Sequence, residues 1–261
     1  MASIEWQNYL ADILRDAGLV VIEEPGWKAR TQSTRNPYKP VGLLNHHTAP
    51  PNPYPVDRLY QKCNLFIARN GNVHVVSGGY QWDSGNGSPA VLAEVIDGSF
   101  PGGRAKDRGI PLEPDVSGNP YFIDIEVDHP GDGSPLPDVQ FEALIRTDAA
   151  ILLHKGWGVQ QLLGHSEWTP RKIDPRWDGS WRPMPSIRAA VQDMMEEMMA
   201  RFDDVPVTHT FYEDIEWLAE EGFTRPSDNP STPDVDESRL FRPDEPVTRG
   251  QLAAFLRRAT S

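Results

Sequence analysis

A short apolar run, Val159 to Leu163, leads straight into Gly164-His165-Ser166-Glu167-Trp168-Thr169-Pro170-Arg171-Lys172-Ile173-Asp174-Pro175. The run reads as a strand, and the prolines stiffen a following loop that carries an imidazole, an ammonium and a carboxylate. Polar side chains on a loop held by a rigid scaffold are where chemistry tends to sit. Over a hundred residues earlier a second run, Val41 to Leu44, ends in Asn45-His46-His47-Thr48. Two strands that turn polar at their C-terminal ends constrain the fold, because in α/β sheets ligand sites gather beyond the carboxyl ends of the strands. They point to one metal site assembled from distant strand ends.

The pattern elsewhere supplies the remaining elements. Residues 4–17 have helical spacing, with Ser3 as N-cap and Gly18 as stop, and Leu19 to Ile22 reads as a strand. Residues 24–40 read as loop. Asn64 to Val76 reads as a hairpin with Asn70-Gly71 in a two-residue turn. Residues 77–120 are rich in Gly, Pro, Asp and Ser and are expected to form a long functional loop or lid, with Val91 to Ile96 as a helical turn within it. Tyr121 to Val127 reads as a strand containing Asp124 and Glu126, and residues 137–154 as a helix stopped by Gly156. A last helix spans residues 187–202. The expected class is α/β, a mixed central sheet flanked by helices. Composition shifts at Asp203, so residues 1–202 form the main domain and 203–261 a small all-α module.

Composition narrows the function classes. An apolar fraction of 38% with eight Trp argues for a packed globule. The net charge of -13 speaks against a phosphate-backbone binder, so no nucleic-acid partner is expected. A single cysteine, Cys63, excludes an internal disulfide framework and fits a reducing cytosol. No stretch approaches the ~20 apolar residues of a membrane span, and Met1 to Asp16 has too many charges for a signal peptide.

A catalytic zinc takes three protein ligands and leaves one position for water. His165 and Asp174, on one proline-containing loop, can fold back onto one centre. The third ligand is His46 or His47. Adjacent strand residues point to opposite faces, so only one of them can serve, and spacing does not say which. Lys172, two residues before Asp174, is placed to stabilise a developing oxyanion. Glu126 in an apolar strand is costly to bury unless paired or functional, which makes it a candidate general base.

These residues carry a family resemblance. From about Gly26 to Val191 the chain resembles the zinc-dependent N-acetylmuramoyl-L-alanine amidases that share a fold with peptidoglycan recognition proteins, and among them the endolysins of phages infecting actinobacteria. The matching pieces are His46-His47-Thr48-Ala49, the hairpin, Trp82-Asp83-Ser84-Gly85, Ile123-Asp124-Ile125-Glu126, and Gly164-His165 through Arg171-Lys172-Ile173-Asp174-Pro175. The resemblance implies one zinc per chain held by His46, His165 and Asp174, with Glu126 as the base that activates water and Lys172 as the transition-state stabiliser. It further implies substrate contacts from His47, Thr48, Trp82 and Asp83, although the family often has Trp-His-Ala-Gly at the last two positions' motif. Some short members use a Tyr on the hairpin where this chain has Cys63.

The C-terminal pieces Asp204-Val205-Pro206, Ile215 to Gly222, Phe241 to Arg249 and Ala253 to Ala259 look like one S-layer homology repeat. The resemblance implies binding of a secondary cell-wall polymer near Thr248 and Arg249. One copy stands where three are usual, and Ser227 to Ser238 replaces the usual Gly-rich turn. The expected activity is hydrolysis of peptidoglycan by a monomer made in the host cytoplasm and acting on the wall after release. The rival readings are a recognition protein that binds peptidoglycan without cutting it, a cytoplasmic amidase that recycles wall fragments, and a structural surface-layer protein.

Overall fold

The computed structural model describes residues 5–34, 37–50, 53–177 and 184–199, and positions 215 and 217. The chain divides into two compact units, Met1–Met195 and Glu196–Ser261. Of the helices expected in 203–261 only Ile215 and Trp217 are described, both helical; the rest, together with Thr248 and Arg249, lies outside the described residues.

In chain order the described elements run α1 (Glu5–Asp16), β1 (Val21–Glu23), β2 (Gly42–His47), β3 (Leu65–Ile67), β4 (Val73–Val75), β5 (Asn86–Gly87), α2 (Pro89–Ile96), β6 (Val116–Ser117), β7 (Phe122–Val127), α3 (Asp138–Lys155), β8 (Leu162–Gly164), α4 (His165–Trp168) and α5 (Met184–Met199). Six strands make one mixed sheet in the order β1-β4-β3-β7-β2-β8. Only β3 and β4 pair antiparallel. The adjacent interior strands β7 and β2 are buried almost throughout, as parallel strands covered on both faces must be.

Alternation along these strands assigns the faces. On one face Leu44, Phe122 and Leu163 meet Val91, Leu92 and Val95 of α2 together with Phe100 and Trp168. On the other, the Asn45 amide donates to Asp148 of α3 at 2.9 Å. Residues two apart share a face, so His46 lies on the α2 side and His47 on the α3 side. The same parity puts Asp124 and Glu126 with Phe122, on the face of His46.

Three local expectations are corrected. The hairpin turn holds three residues, because Ala68 donates to Asn72 O and Gly71 donates back to Ala68 O, both at 2.9 Å. Gly71 alone takes positive φ, at 80°. That is a type I turn closed by a left-handed glycine; the two-residue alternative needs Asn70 left-handed as well. Second, residues 77–120 are not one loop. Ser88 caps α2 by accepting from the Ala90 and Val91 amides, and Pro89 occupies the first turn; β5 and β6 pair on either side of the helix. Third, Val159–Gln161 is a 3-10 turn, and the strand begins only at Leu162.

The buried Asn45–Asp148 pair has a consequence for stability. Burial penalises the Asp148 carboxylate, offset only in part by the Asn45 amide, and raises its pKa from 3.8 to about 8. The unfolded chain releases this proton near the ordinary value while the folded chain holds it to about 8. The folded state therefore loses stability as pH rises between those values and loses no more above them. Asp148→Asn keeps the acceptor for Asn45 and removes the charge. Its thermal midpoint is expected to exceed that of the parent at pH 8.5 by the equivalent of a few kcal/mol, on the order expected for a shift of this size, with the gap closing towards pH 4. A gap that does not change with pH would contradict this.

Candidate metal centre

The site is built where three strand ends meet. Parallel pairing sets His46 opposite Glu126 across β2 and β7. On its other side β2 pairs with β8, Asn45 opposite Gly164, so that His165 emerges beside His46. The two imidazoles meet edge to face, with ring centroids 4.4 Å apart.

Asp174 joins them from the loop after α4. Its Oδ2 lies 3.1 Å from His46 Nδ1 and 3.1 Å from His165 Nδ1. Donor atoms of His46, His165 and Asp174 all lie within 4.8 Å of one another. Backbone contacts hold the loop on both sides of Asp174: Ser166 N donates to Asp174 O at 2.7 Å, and Arg176 N donates to His47 Nδ1 at 3.0 Å. Gly164 is required at the turn, since a Cβ there would stand 2.6 Å from Pro175 Cδ and 2.8 Å from Met184 Cγ.

The start of α4 is fixed by Glu167. From the third helical position its carboxylate accepts from Gly164 N at 3.0 Å, satisfying one of the free amides of a helix start. It also accepts from Gly103 N at 2.9 Å and is gripped by the Arg188 guanidinium of α5 at 2.8 and 2.9 Å. Glu167 thus holds His165 in place. Its signal was in the sequence as a capping-box spacing, hidden because the strand was expected to end in a plain loop.

His46 is oriented from behind. Its Nε2 lies 3.1 Å from Asp124 Oδ1, and the Ser84 hydroxyl donates to the same carboxylate at 2.7 and 2.9 Å. Asp124 is fully buried. Neither Asp124 nor Ser84 was picked out in the sequence as a site residue.

A second group of donors, His46, Asp83 and Glu126, shares the same histidine. Glu126 Oε2 and Asp83 Oδ2 are buried and, among the described residues, meet no N–H or hydroxyl donor; the Asp83 and Glu126 carboxyls lie close enough to share a proton. Burial first, and Asp83 second, hold the Glu126 carboxyl well above the usual carboxylate range. Burial also raises Asp174, but the two imidazoles outweigh it and hold that carboxyl well below its ordinary value. Burial disfavours a charged His46, yet Asp83, Asp124 and Asp174 together overcome this and raise its pKa. The pocket therefore attracts positive charge.

The donor set fits a zinc-type ion. With the Nε2 proton of His46 given to Asp124, Nδ1 presents a lone pair to Asp174 Oδ2. Two acceptors at 3.1 Å are reconciled by a proton or a metal ion between them. Two imidazoles and one carboxylate are also the ligand types that zinc prefers.

The other predicted site residues are distributed as follows. Lys172 is exposed at the loop surface, near enough for its charge to act on His165. Trp82 is exposed beside the half-buried Asp83. His47 faces away from His46 and holds the Arg176 amide, and burial lowers its pKa to about 4. The Thr48 hydroxyl reaches the His129 carbonyl at 3.5 Å. Cys63 is fully buried, with its thiol pushed up by burial, and is a core residue.

The family model for N-acetylmuramoyl-L-alanine amidase matches residues 36–177, and that for the S-layer homology domain matches residues 201–253. Among solved structures, the chain is similar to an endolysin N-acetylmuramoyl-L-alanine amidase, LysCS, from Clostridium intestinale, at 15% identity over 66% of this chain and 95% of that one, with a TM-score of 0.41. It is likewise similar to a selenomethionine derivative of AmpD, at 17% identity over 65% and 98% of the two chains, TM-score 0.41. No curated protein matches the chain.

The geometry predicts one tight zinc site per chain, as a three-ligand centre requires. In calorimetric titration of the chelator-stripped protein, His46→Ala, His165→Ala and Asp174→Ala are each expected to abolish tight binding. Parental affinity in any of the three would remove that residue from the ligand set.

Proposed function

Because the chain belongs to the N-acetylmuramoyl-L-alanine amidase family over residues 36–177, we propose that it hydrolyses the amide joining the lactyl group of N-acetylmuramic acid to L-alanine in peptidoglycan, with one zinc ion held by His46, His165 and Asp174. The observation that carries this reading is the convergence of those three donors beside the buried Oε2 of Glu126. Bound there, zinc would supply a Lewis acid that polarises a carbonyl and acidifies water.

The chain's own residues do the rest. Glu126 takes a proton from the attacking water and returns it to the departing L-alanine nitrogen. A carboxyl whose pKa is raised by burial and by Asp83 suits both halves of that task. The Lys172 ammonium, on the loop that also carries Asp174, offsets negative charge developing on the carbonyl oxygen. Trp82 and Asp83 form part of the surface that meets the glycan and its stem peptide.

The S-layer homology match over residues 201–253 supports a role for the second unit in holding a secondary cell-wall polymer, with Thr248 and Arg249 as contacts. Attachment to intact wall suits an endolysin of a phage better than an amidase that recycles soluble fragments. Among the described residues no helix is long and apolar enough to cross a membrane.

Glu126→Gln is expected to keep one zinc per chain and to lose turnover on purified peptidoglycan by roughly 10²–10⁴-fold, the usual contribution of a general base. Lys172→Ala should also keep zinc while lowering kcat more than it raises KM. Parental turnover in Glu126→Gln would take that residue out of the mechanism.

A further inference from the structure

We propose that Asp124 is a positioning residue for the metal centre: clamped by Ser84, it accepts the Nε2 proton of His46 and so selects the imidazole tautomer whose Nδ1 lone pair faces Asp174. The inference rests on the metal reading above.

The geometry for this role is complete. Asp124 is fully buried on β7, two residues before Glu126 and on the same face. Its backbone is fixed by Asn64, whose side-chain Oδ1 accepts from Asp124 N at 3.0 Å and whose amide donates to Asp124 O at 2.9 Å. Its carboxylate has two side-chain donors, Ser84 and His46. Ser84 is itself buried and anchored, since the Trp168 indole donates to its carbonyl at 3.0 Å. A buried carboxylate is costly unless hydrogen-bonded, and here the bonds that satisfy it run to a residue of the metal centre.

A neutral imidazole has one N–H. If that proton sat on Nδ1, Nε2 and Asp124 Oδ1 would face each other as two acceptors 3.1 Å apart in a dry pocket. Asp124 disfavours that arrangement and leaves Nδ1 free for a cation. Ligating histidines commonly give their second ring N–H to such a carboxylate, and loss of that partner typically costs 10–100-fold in metal affinity. Asp124 is therefore expected to act on affinity through His46, without touching substrate.

The test is zinc affinity of the full chain by competition with a chromophoric chelator, for the parent, Asp124→Asn, Asp124→Ala and Ser84→Ala. The asparagine keeps an acceptor for His46 but loses the charge, so affinity should fall in the order parent, Asn, Ala, with the alanine variant about 10–100-fold weaker. Ser84→Ala should fall in the same direction by less. The rise in thermal midpoint on adding zinc should shrink in that order, a readout that a purely structural role for Asp124 would not move because it compares each variant with and without metal. Should Asp124→Ala fail to fold, Asp124→Asn and Ser84→Ala carry the same ordering. Equal affinity and equal zinc-induced shifts in the folded variants and the parent would overturn the inference while leaving the metal site intact. A parent chain that binds no zinc would overturn the metal reading and this inference with it.

Discussion

Asn45 lies opposite Ile125 on one side and Gly164 on the other, and this double registration of β2 is what the site depends on. It brings His46 level with Glu126 and sets the start of α4, and so His165, next to His46. A slip of one residue would turn His46 to the α3 face and replace it with His47. The packing of Leu44, Phe122 and Leu163 against α2 resists that slip, because it would turn Asn45 into that apolar layer and break its buried bond to Asp148. The hydrophobic pattern of the sheet and the chemistry at its end are thus fixed by one pairing.

The second constraint is electrostatic. Asp83, Asp124, Glu126 and Asp174 stand around two buried histidines. Removing carboxylates from water is expensive unless positive charge or hydrogen bonds compensate. Ser84 and the imidazoles meet part of that cost, and the raised pKa of His46 shows what is still wanted. A divalent cation at the three converging donors, as proposed, would answer that demand. The same pocket leaves Glu126 with an unsatisfied oxygen, so a feature that is unfavourable for stability is the one that the proposed mechanism uses for proton transfer. Around this charged centre stand the Glu167–Arg188 pair on α4 and α5 and the bonds accepted from Ser166 N and Arg176 N that hold the Asp174 loop.

Much of this was legible before any coordinates. His165, Asp174 and Lys172 follow an apolar run on a proline-stiffened loop, and both histidine clusters sit at strand ends, where α/β sheets keep their sites. The choice between His46 and His47 was not legible from the strand alone. It is a matter of parity: the family resemblance implies His46, and the strand pairing puts His46 on the face of Glu126 and Asp124. The role of Asp124 is not legible in the sequence because an acid inside an apolar strand gives no hint of its partner, and Ser84 lies 40 positions away. The hairpin turn was misjudged because Asn-Gly also serves in a longer turn when only the glycine is left-handed. In segment 77–120 the helical turn expected at Val91 to Ile96 is the end of a helix that Ser88-Pro89 starts, whereas the two-residue strands β5 and β6 are too short to show in the pattern.

The chain thus joins an amidase-family unit, with its donor cluster at the sheet end, to a second unit that matches the S-layer homology domain over residues 201–253. The claim at the heart of this account is that the centre cuts one bond, the amide between the lactyl group and L-alanine. Mass spectrometry of purified peptidoglycan after digestion by the zinc-loaded chain tests it most directly. The account predicts free stem peptides with L-alanine at the amino terminus and glycan strands that keep intact lactyl groups. New reducing sugar ends, or peptides cut within the stem, would contradict it.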